Sequence, residues 1–245
     1  MIPTQTQDTT GTPAMTINRP PLRFRHEYKH LISPSEDAVL SGRLGRLFPR
    51  DSHAGPSGTY RVCSLYFDTP DDRALRQKLN GTDNREKFRI RYYDSDLSFL
   101  QLEKKTKEGG FGNKQKVRLR PEEVQKILDG DYEWMRNSGQ PLVIELYSKM
   151  MSQGLRPKTI VEYTREPYTY RPGNVRVTLD CNLRTSIGCG GFLRPDCAMI
   201  PAGKPMIVME VKWDEFLPSV IRDAVQLKSR RAAAFSKYAA CRIYG

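Results

Sequence analysis

Arg85-Glu86-Lys87-Phe88-Arg89-Ile90-Arg91-Tyr92 is the stretch on which the fold turns. In an extended chain, side chains two apart share a face. Arg85, Lys87, Arg89 and Arg91 therefore line one side, while Phe88, Ile90 and Tyr92 line the other. The apolar side demands a core and the basic side demands water or anions, which a sheet strand backed by helices supplies. The same split recurs outward from this stretch. Arg23, Arg25, Glu27 and Lys29 oppose Phe24, His26, Tyr28 and His30, and Gln101, Glu103, Lys105 and Lys107 oppose Leu100 and Leu102. Lys114, Lys116, Arg118 and Arg120 oppose Val117 and Leu119; Arg176, Thr178 and Asp180 oppose Val175, Val177 and Leu179; Glu210 and Lys212 oppose Ile207, Met209 and Val211. Eight strands are expected, near 23–32, 59–67, 86–93, 98–107, 114–120, 159–166, 174–183 and 206–213.

Helix signals fall between them. Ser33-Pro34-Ser35-Glu36 reads as an N-cap, a Pro at the first helical position and a capping Glu, ahead of Val39, Leu40, Leu44, Leu47 and Phe48 at helical spacing. Further helices are expected after Thr69-Pro70-Asp71-Asp72, from Pro121-Glu122-Glu123, from Pro141, and after Pro218 with Val220, Ile221, Ala224, Val225 and Leu227 as its apolar stripe. Glu108-Gly109-Gly110-Phe111-Gly112-Asn113 lacks the GxxxxGK[ST] order of a phosphate-binding loop and reads as a hairpin turn. Residues 1–21 are Thr/Pro/Gln-rich without periodicity, so a disordered tail is expected there, with one domain over 22–245.

Composition removes several function classes. No apolar run reaches the roughly 18 residues of a membrane-spanning helix, and the N-terminus lacks the apolar core of a signal peptide, so a cytoplasmic protein without membrane insertion is expected. Five cysteines without a CxxC pair argue against a disulfide framework and a structural zinc site. Three histidines (His26, His30 and His53) leave little for a histidine-centred metal cluster or triad. His26 and His30 share the apolar face with Tyr28, which points to packing, and Tyr66, Tyr92, Tyr163 and Trp213 read as contacts between helices and sheet.

The chain carries 40 Lys and Arg against 28 Asp and Glu, a formal charge of +12. Residues 85–120 alone hold eleven basic and five acidic residues. An ordinary antiparallel sheet with one wet face accommodates such a pattern. Like charges on neighbouring strands nevertheless repel unless something anionic lies between them. Eight such strands can close into an antiparallel β-barrel with a polar, basic interior and helices packed outside, an α+β architecture suited to a polyanion and a divalent cation. Nucleic acid is disfavoured as the partner, because the basic strands come without exposed stacking platforms.

The ordered series Arg25-His26-Glu27-Tyr28-Lys29, Tyr66-Phe67-Asp68-Thr69, Lys87-Phe88-Arg89-Ile90-Arg91-Tyr92, Leu102-Glu103-Lys104-Lys105-Thr106, Tyr163-Thr164-Arg165, Arg176-Val177-Thr178-Leu179-Asp180, Met209-Glu210-Val211-Lys212 and Ser236-Lys237-Tyr238 resembles VTC domains. These are the catalytic modules of the vacuolar transporter chaperone complex. They also stand alone in bacteria, within the triphosphate tunnel metalloenzyme (CYTH-like) superfamily. The similarity runs from Arg23 to Tyr244, and its strength lies in the succession of motifs. It implies an eight-stranded β-tunnel that transfers the γ-phosphate of ATP to a growing inorganic polyphosphate chain, with pyrophosphate or triphosphate as primer and Mn2+ or Mg2+ bound inside. The phosphate-contacting set it implies is Lys29, Arg89, Arg91, Lys105, Lys116, Arg165, Arg176 and Lys237, with Arg118 and Lys212 as neighbouring candidates. Glu210 is the implied metal ligand, with Glu27 and Glu103 assisting it or orienting the adjacent bases. Where relatives carry a second basic residue before Ser-Lys-Tyr, this chain has Ala232-Ala233-Ala234-Phe235, leaving Arg231 or Arg230 as substitutes. An inorganic triphosphatase of the same fold and a non-catalytic polyphosphate- or nucleotide-binding module are the alternatives.

Overall fold

Alternation converts into one large antiparallel sheet in the computed structural model, which describes residues 25–109, 111–227 and 235–243. The expected tail at 1–21, Arg23 and Phe24 of the first strand, and Arg230 and Arg231 lie outside the described residues. The strands are β1 (His26–Ile32), β2 (Tyr60–Asp68), β3 (Arg85–Tyr93), β4 (Asp96–Glu108), β5 (Phe111–Leu119), β6 (Arg156–Tyr170), β7 (Val175–Thr185), β8 (Ile200–Pro201) and β9 (Ile207–Trp213). They run in the order β1-β9-β7-β6-β2-β3-β4-β5, with β8 added to β7. The helices are α1 (Pro34–Leu47), α2 (Arg73–Leu79), α3 (Pro121–Asp129), α4 (Glu133–Arg136), α5 (Pro141–Gln153), α6 (Ser219–Ala224) and α7 (Lys237–Arg242).

Two expectations need correction. The described sheet has nine strands, because the two-residue β8 is too short to show alternation. Nor does it close into a barrel: β1 and β5 end the order, and no ladder joins them among the described residues. Joining them would set Lys114, Lys116 and Arg118 beside Lys29, a like-charge juxtaposition that disfavours pairing. The sheet still curls strongly, so that Lys105 on β4 lies within electrostatic reach of Glu27 and Lys29 on β1. The outcome is a deep concave face with an open side.

Local chemistry sets the elements as expected. Ser33 caps α1 reciprocally: its Oγ accepts from the Glu36 N–H at 3.3 Å, and its own N–H donates to Glu36 Oε2 at 2.8 Å. β4 and β5 form a hairpin in register from Glu108 opposite Phe111, with Gly109 at φ 56° supplying the left-handed turn. α6 ends at Ala224, short of the expected stripe through Leu227, although Val225 still packs in the core. α4 and α7 carry too few turns to show a period.

Two apolar clusters back the convex side. Phe88, Ile90, Leu100 and Leu102 pack against Val124 and Ile127 of α3 and Leu146 and Met150 of α5. Val177, Leu179, Met209 and Val211 pack against Leu40 and Leu44 of α1 and Ile221 of α6. Each such side chain contributes roughly 1.5–3 kcal/mol by leaving water, which fixes the opposite, charged positions on the concave face. A third cluster was not foreseen. On the concave side itself, Val62, Tyr66, Val161 and Tyr163 of the central strands form an apolar floor beneath Tyr238 and Cys241 of α7.

Candidate functional site

Register brings the charged positions of seven strands onto one face, with Ser64 and Tyr66 of β2 between them. Along the β1-β9-β7-β6 wall, Lys29 lies opposite Glu210, Glu27 opposite Lys212, Arg176 opposite Lys212, and Arg165 opposite Asp180. The side chains there satisfy one another. Arg165 makes a two-pronged pair with Asp180 at 2.7 and 2.8 Å, and Lys237 of α7 adds a third contact to the same carboxylate at 2.7 Å. Lys212 reaches Glu210 at 3.0 Å and Glu27 at 3.7 Å, while Lys29 pairs with Glu27 and lies 3.4 Å from Glu210. Burial alone would raise the Glu210 carboxyl, but Lys212, Lys29, Arg165 and Lys237 outweigh it and hold it well below its ordinary value. Burial pushes Lys212 down against the pull of Glu210 and Glu27, whereas Lys29 rises on balance because both carboxylates face it directly. At the margin, Arg176 donates to Tyr60 Oη at 2.6 Å and pairs with Asp51 at 2.8 Å.

The β3-β4-β5 wall is different. Arg89 pairs with Glu103 at 2.5 Å and donates to Tyr66 Oη at 2.8 Å, and Lys114 takes the other oxygen of Glu103. Arg91, 7% exposed, donates to two hydroxyls, Ser64 Oγ at 3.0 Å and Tyr163 Oη at 3.5 Å, and forms no ion pair among the described residues, although its charge acts on Glu103. Lys87, Lys105 and Lys116 have no carboxylate partner among the described residues, and Arg118 lies over the Phe99 ring at 4.4 Å. Glu103 is buried, which would raise its carboxyl, yet Arg89, Arg91 and Lys114 hold it at about 2. Tyr66 shows the surplus most directly. Burial should push its phenol up, but Arg89, Lys87 and Arg91 together hold it at about 7. Lys87 is pushed down to about 8 by burial, which Arg89, Lys105 and Lys29 reinforce against the opposing Tyr66.

All the expected site residues among those described therefore reach one concave face. They divide as Lys29, Arg165, Arg176, Lys212, Lys237, Glu27 and Glu210 on one wall and Arg89, Arg91, Lys105, Lys116, Arg118 and Glu103 on the other. Arg231 lies outside the described residues. Several participants escaped the sequence reading. Tyr66 and Tyr163 pack a helix against the sheet as expected, but on the concave side, among the charges: Tyr66 stacks on Tyr238 of α7 at 5.1 Å, and Arg165 and Lys237 lie over Tyr163 at 5.3 and 4.7 Å. Extending the period-two pattern back from Arg91 through its partner Ser64 would have found Tyr66. Asp180 shares the alternating face with Arg176, but only the structure makes it the counterion of both Arg165 and Lys237. Asp51 sits in a loop that gives no periodic signal. His30, as expected, is buried on the convex side against Tyr28.

The motif Tyr66-Phe67-Asp68-Thr69 acquires a structural meaning as well. Asp68 is 1% exposed and accepts the N–H groups of Thr69, Ala74 and Leu75 at 2.8, 2.8 and 3.1 Å, together with the Tyr238 hydroxyl at 2.5 Å. One carboxylate thus caps α2 and anchors α7 over the concave face, a contact that Arg242 reinforces at Asp72. The thiols take no part: burial pushes Cys63 and Cys241 up to about 12, which leaves them protonated and inert.

Among the described residues no three His, Cys, Asp or Glu side chains converge. Glu27 and Glu210 do converge, each lying within 3.7 Å of the Lys212 ammonium. Two carboxylates suit Mg2+ or Mn2+, which complete their shells with water and substrate phosphate oxygens. Both carboxylates are paired with Lys29 and Lys212, which an ion would have to displace; Glu103 lies on the opposite wall, paired with Arg89 and Lys114.

Among the described residues no helix is long and apolar enough to cross a membrane. No curated protein matches the chain. Among solved structures, a Bacillus halodurans chain provisionally assigned as an adenylate cyclase aligns with a TM-score of 0.43 and 16% identity, over 76% of this chain and 78% of that one. The VTC domain family matches residues 24–243, nearly the whole chain and all of the concave face. On that match the protein belongs to the VTC domain family.

Proposed function

We propose that this VTC domain is an ATP-polyphosphate phosphotransferase, which binds ATP and a linear polyphosphate on its concave face and moves the γ-phosphoryl group onto the chain end. The observation that carries the reading is the cation-rich β3-β4-β5 wall, where the buried Arg91 and the half-buried Lys87 form no ion pair with a carboxylate among the described residues. Buried cations without counterions are costly, and a polyanion removes that cost. Phosphoryl transfer itself asks mainly for positioning and for dispersal of charge over the transferring oxygens. Arg91 offers a planar fork that can grip phosphate oxygens in pairs, Arg89 shares its fork with Glu103, and Lys105 and Lys116 offer point charges under which a chain can slide, while Arg165 and Lys237, held by Asp180, would lend their charge from the opposite wall. The acceptor, a terminal phosphate oxygen, is already anionic, so the absence of histidine from this face is no obstacle. Glu27 and Glu210 would hold Mn2+ or Mg2+. When bound, that ion would neutralise charge on neighbouring phosphate oxygens.

The test is incubation with ATP, Mn2+ and a pyrophosphate or triphosphate primer, following polymer and free phosphate in the same tube, beside Arg91→Ala and Glu210→Ala. Long polymer that disappears in both variants is expected. Free phosphate without polymer makes the protein an inorganic triphosphatase, and triphosphate binding without either product makes it a binding module.

A further inference from the structure

We propose that the cavity roofed by α2 is a separate anion subsite that holds the phosphate chain beyond the central cations, so that the protein reads chain length. The assignment rests on the concave face being a polyphosphate site and adds to it residues outside the implied contact set.

Four observations carry it. The cavity, of about 330 Å³, is lined by Arg73 and Gln77 of α2, by Arg85 and Lys87 of β3, by Lys107 of β4 and by Lys149 of α5. It continues the β3 row of inward cations: Arg91 and Arg89 at the centre lead to Lys87 and Arg85 at its wall. Three carboxylates line it, Asp68, Glu86 and Glu108, of which the first two are committed, and Lys107 pairs with Asp83 at 2.9 Å. Asp68 is taken by three backbone N–H groups and Tyr238, and Glu86 by Lys104 and Lys149. Against these, among the described residues Lys87 lies over the Tyr66 ring, 5.9 Å from its Nζ, and Arg73 meets the Gln153 amide at 3.4 Å, neither forming an ion pair. Burial depresses the Lys87 ammonium, and Arg89, Lys105 and Lys29 add to this against the opposing Tyr66.

The far end of the face settles which part of a phosphorylated ligand the cavity receives. Tyr60, Tyr93 and Phe99 form an aromatic row there, with ring centroids 5.6 and 5.9 Å apart, and Arg118 lies over Phe99. Flat surfaces for a nucleobase thus lie six residues along β3 from Lys87, about 20 Å at strand rise. What enters the α2 cavity is phosphate.

The experiment compares tripolyphosphate, ATP and a much longer linear polyphosphate by titration calorimetry at fixed salt, using the wild type, Arg73→Ala/Lys107→Ala and Lys87→Ala. Each added ion pair steepens a polyanion's affinity and its salt dependence, so the long chain should bind the wild type about tenfold tighter than tripolyphosphate. Both variants should lose that advantage, and Arg73→Ala/Lys107→Ala should retain tripolyphosphate affinity within about twofold, the screened cost of distant charges. Thermal melts confirm that the variants remain folded. Equal wild-type affinity for both chain lengths would overturn the subsite while leaving the proposed function standing. Loss of discrimination between ATP and tripolyphosphate in the variants would also overturn it, by giving the cavity to the nucleoside. Failure of the wild type to bind any of the three would remove the proposed function itself.

Discussion

The two walls of the concave face carry the same kinds of cation in opposite states of compensation. Across β1, β9, β7 and β6, every inward cation described touches a carboxylate: Arg165 and Lys237 share Asp180, Lys29 and Lys212 share Glu27 and Glu210, and Arg176 holds Asp51. Across β3, β4 and β5, Glu103 is the carboxylate that faces inward at the centre, and it serves Arg89 and Lys114 while Arg91, Lys87, Lys105 and Lys116 go without. The first wall is internally neutralised. The second carries a surplus of positive charge that an anion would compensate. A face built for solubility would have no reason to segregate its charges in this way.

The largest test of that contrast removes the hub of the compensated wall. Asp180→Ala takes from the buried Arg165 its two-pronged partner, leaving it only the longer contact to Glu210 at 3.7 Å, and strips Lys237 of its ion pair, so it should cost about 3–5 kcal/mol of stability, read from urea unfolding. Arg91→Met, on the other wall, should leave the urea midpoint nearly unchanged and lower phosphoryl transfer by about 10²–10³-fold, the usual loss when a charge-stabilising donor goes. A large stability loss in Arg91→Met would erase the distinction between the walls.

Acid unfolding sharpens the comparison at Glu103. Its folded carboxyl is held at about 2 against an ordinary 4.5, so its stabilisation is complete above about 4.5 and fades as pH falls toward about 2. The displacement corresponds to about 3 kcal/mol, and Glu103→Gln should flatten stability against pH across that window. A variant profile with the wild-type slope would assign the acid sensitivity elsewhere.

Anion affinity should respond to alkali through Tyr66 and Lys87. Tyr66 gains negative charge above about 7 and Lys87 loses its positive charge above about 8, and both changes weaken binding as pH rises. Wild-type affinity for tripolyphosphate should fall about tenfold more than that of Tyr66→Phe between neutral and mildly alkaline pH, the equivalent of one pKa unit. The ligand's own titration is common to both proteins, so parallel profiles would sink the idea. The smallest effect is expected at the open edge, where Lys116→Ala on β5 should lower the slope of log affinity against log salt by about one, as for a single phosphate contact.

Much of this was legible in the chain. Arg85 to Tyr92 announced a strand with opposite faces, and Ser33 with Glu36 announced where α1 begins. The basic residues of the site could be named because a period of two places them together in any extended segment, whatever that segment pairs with. α7 was less accessible, because six residues cannot display a helical period and its place depends on Asp68, about 170 positions away in the chain.

The sequence by itself determined which side chains share a face, since alternation is a property of the backbone and needs no partner strand. It also determined the surplus of positive charge and the succession of motifs that places the chain in its family. Only the tertiary structure decided that Asp180, Glu210 and Glu27 neutralise one wall while the other stays open, that Tyr66 and Tyr163 line the charged face, and that β1 and β5 remain apart. Register and sheet curvature, which bring β4 within electrostatic reach of β1, are sums of contacts between residues distant in the chain. No local pattern encodes them.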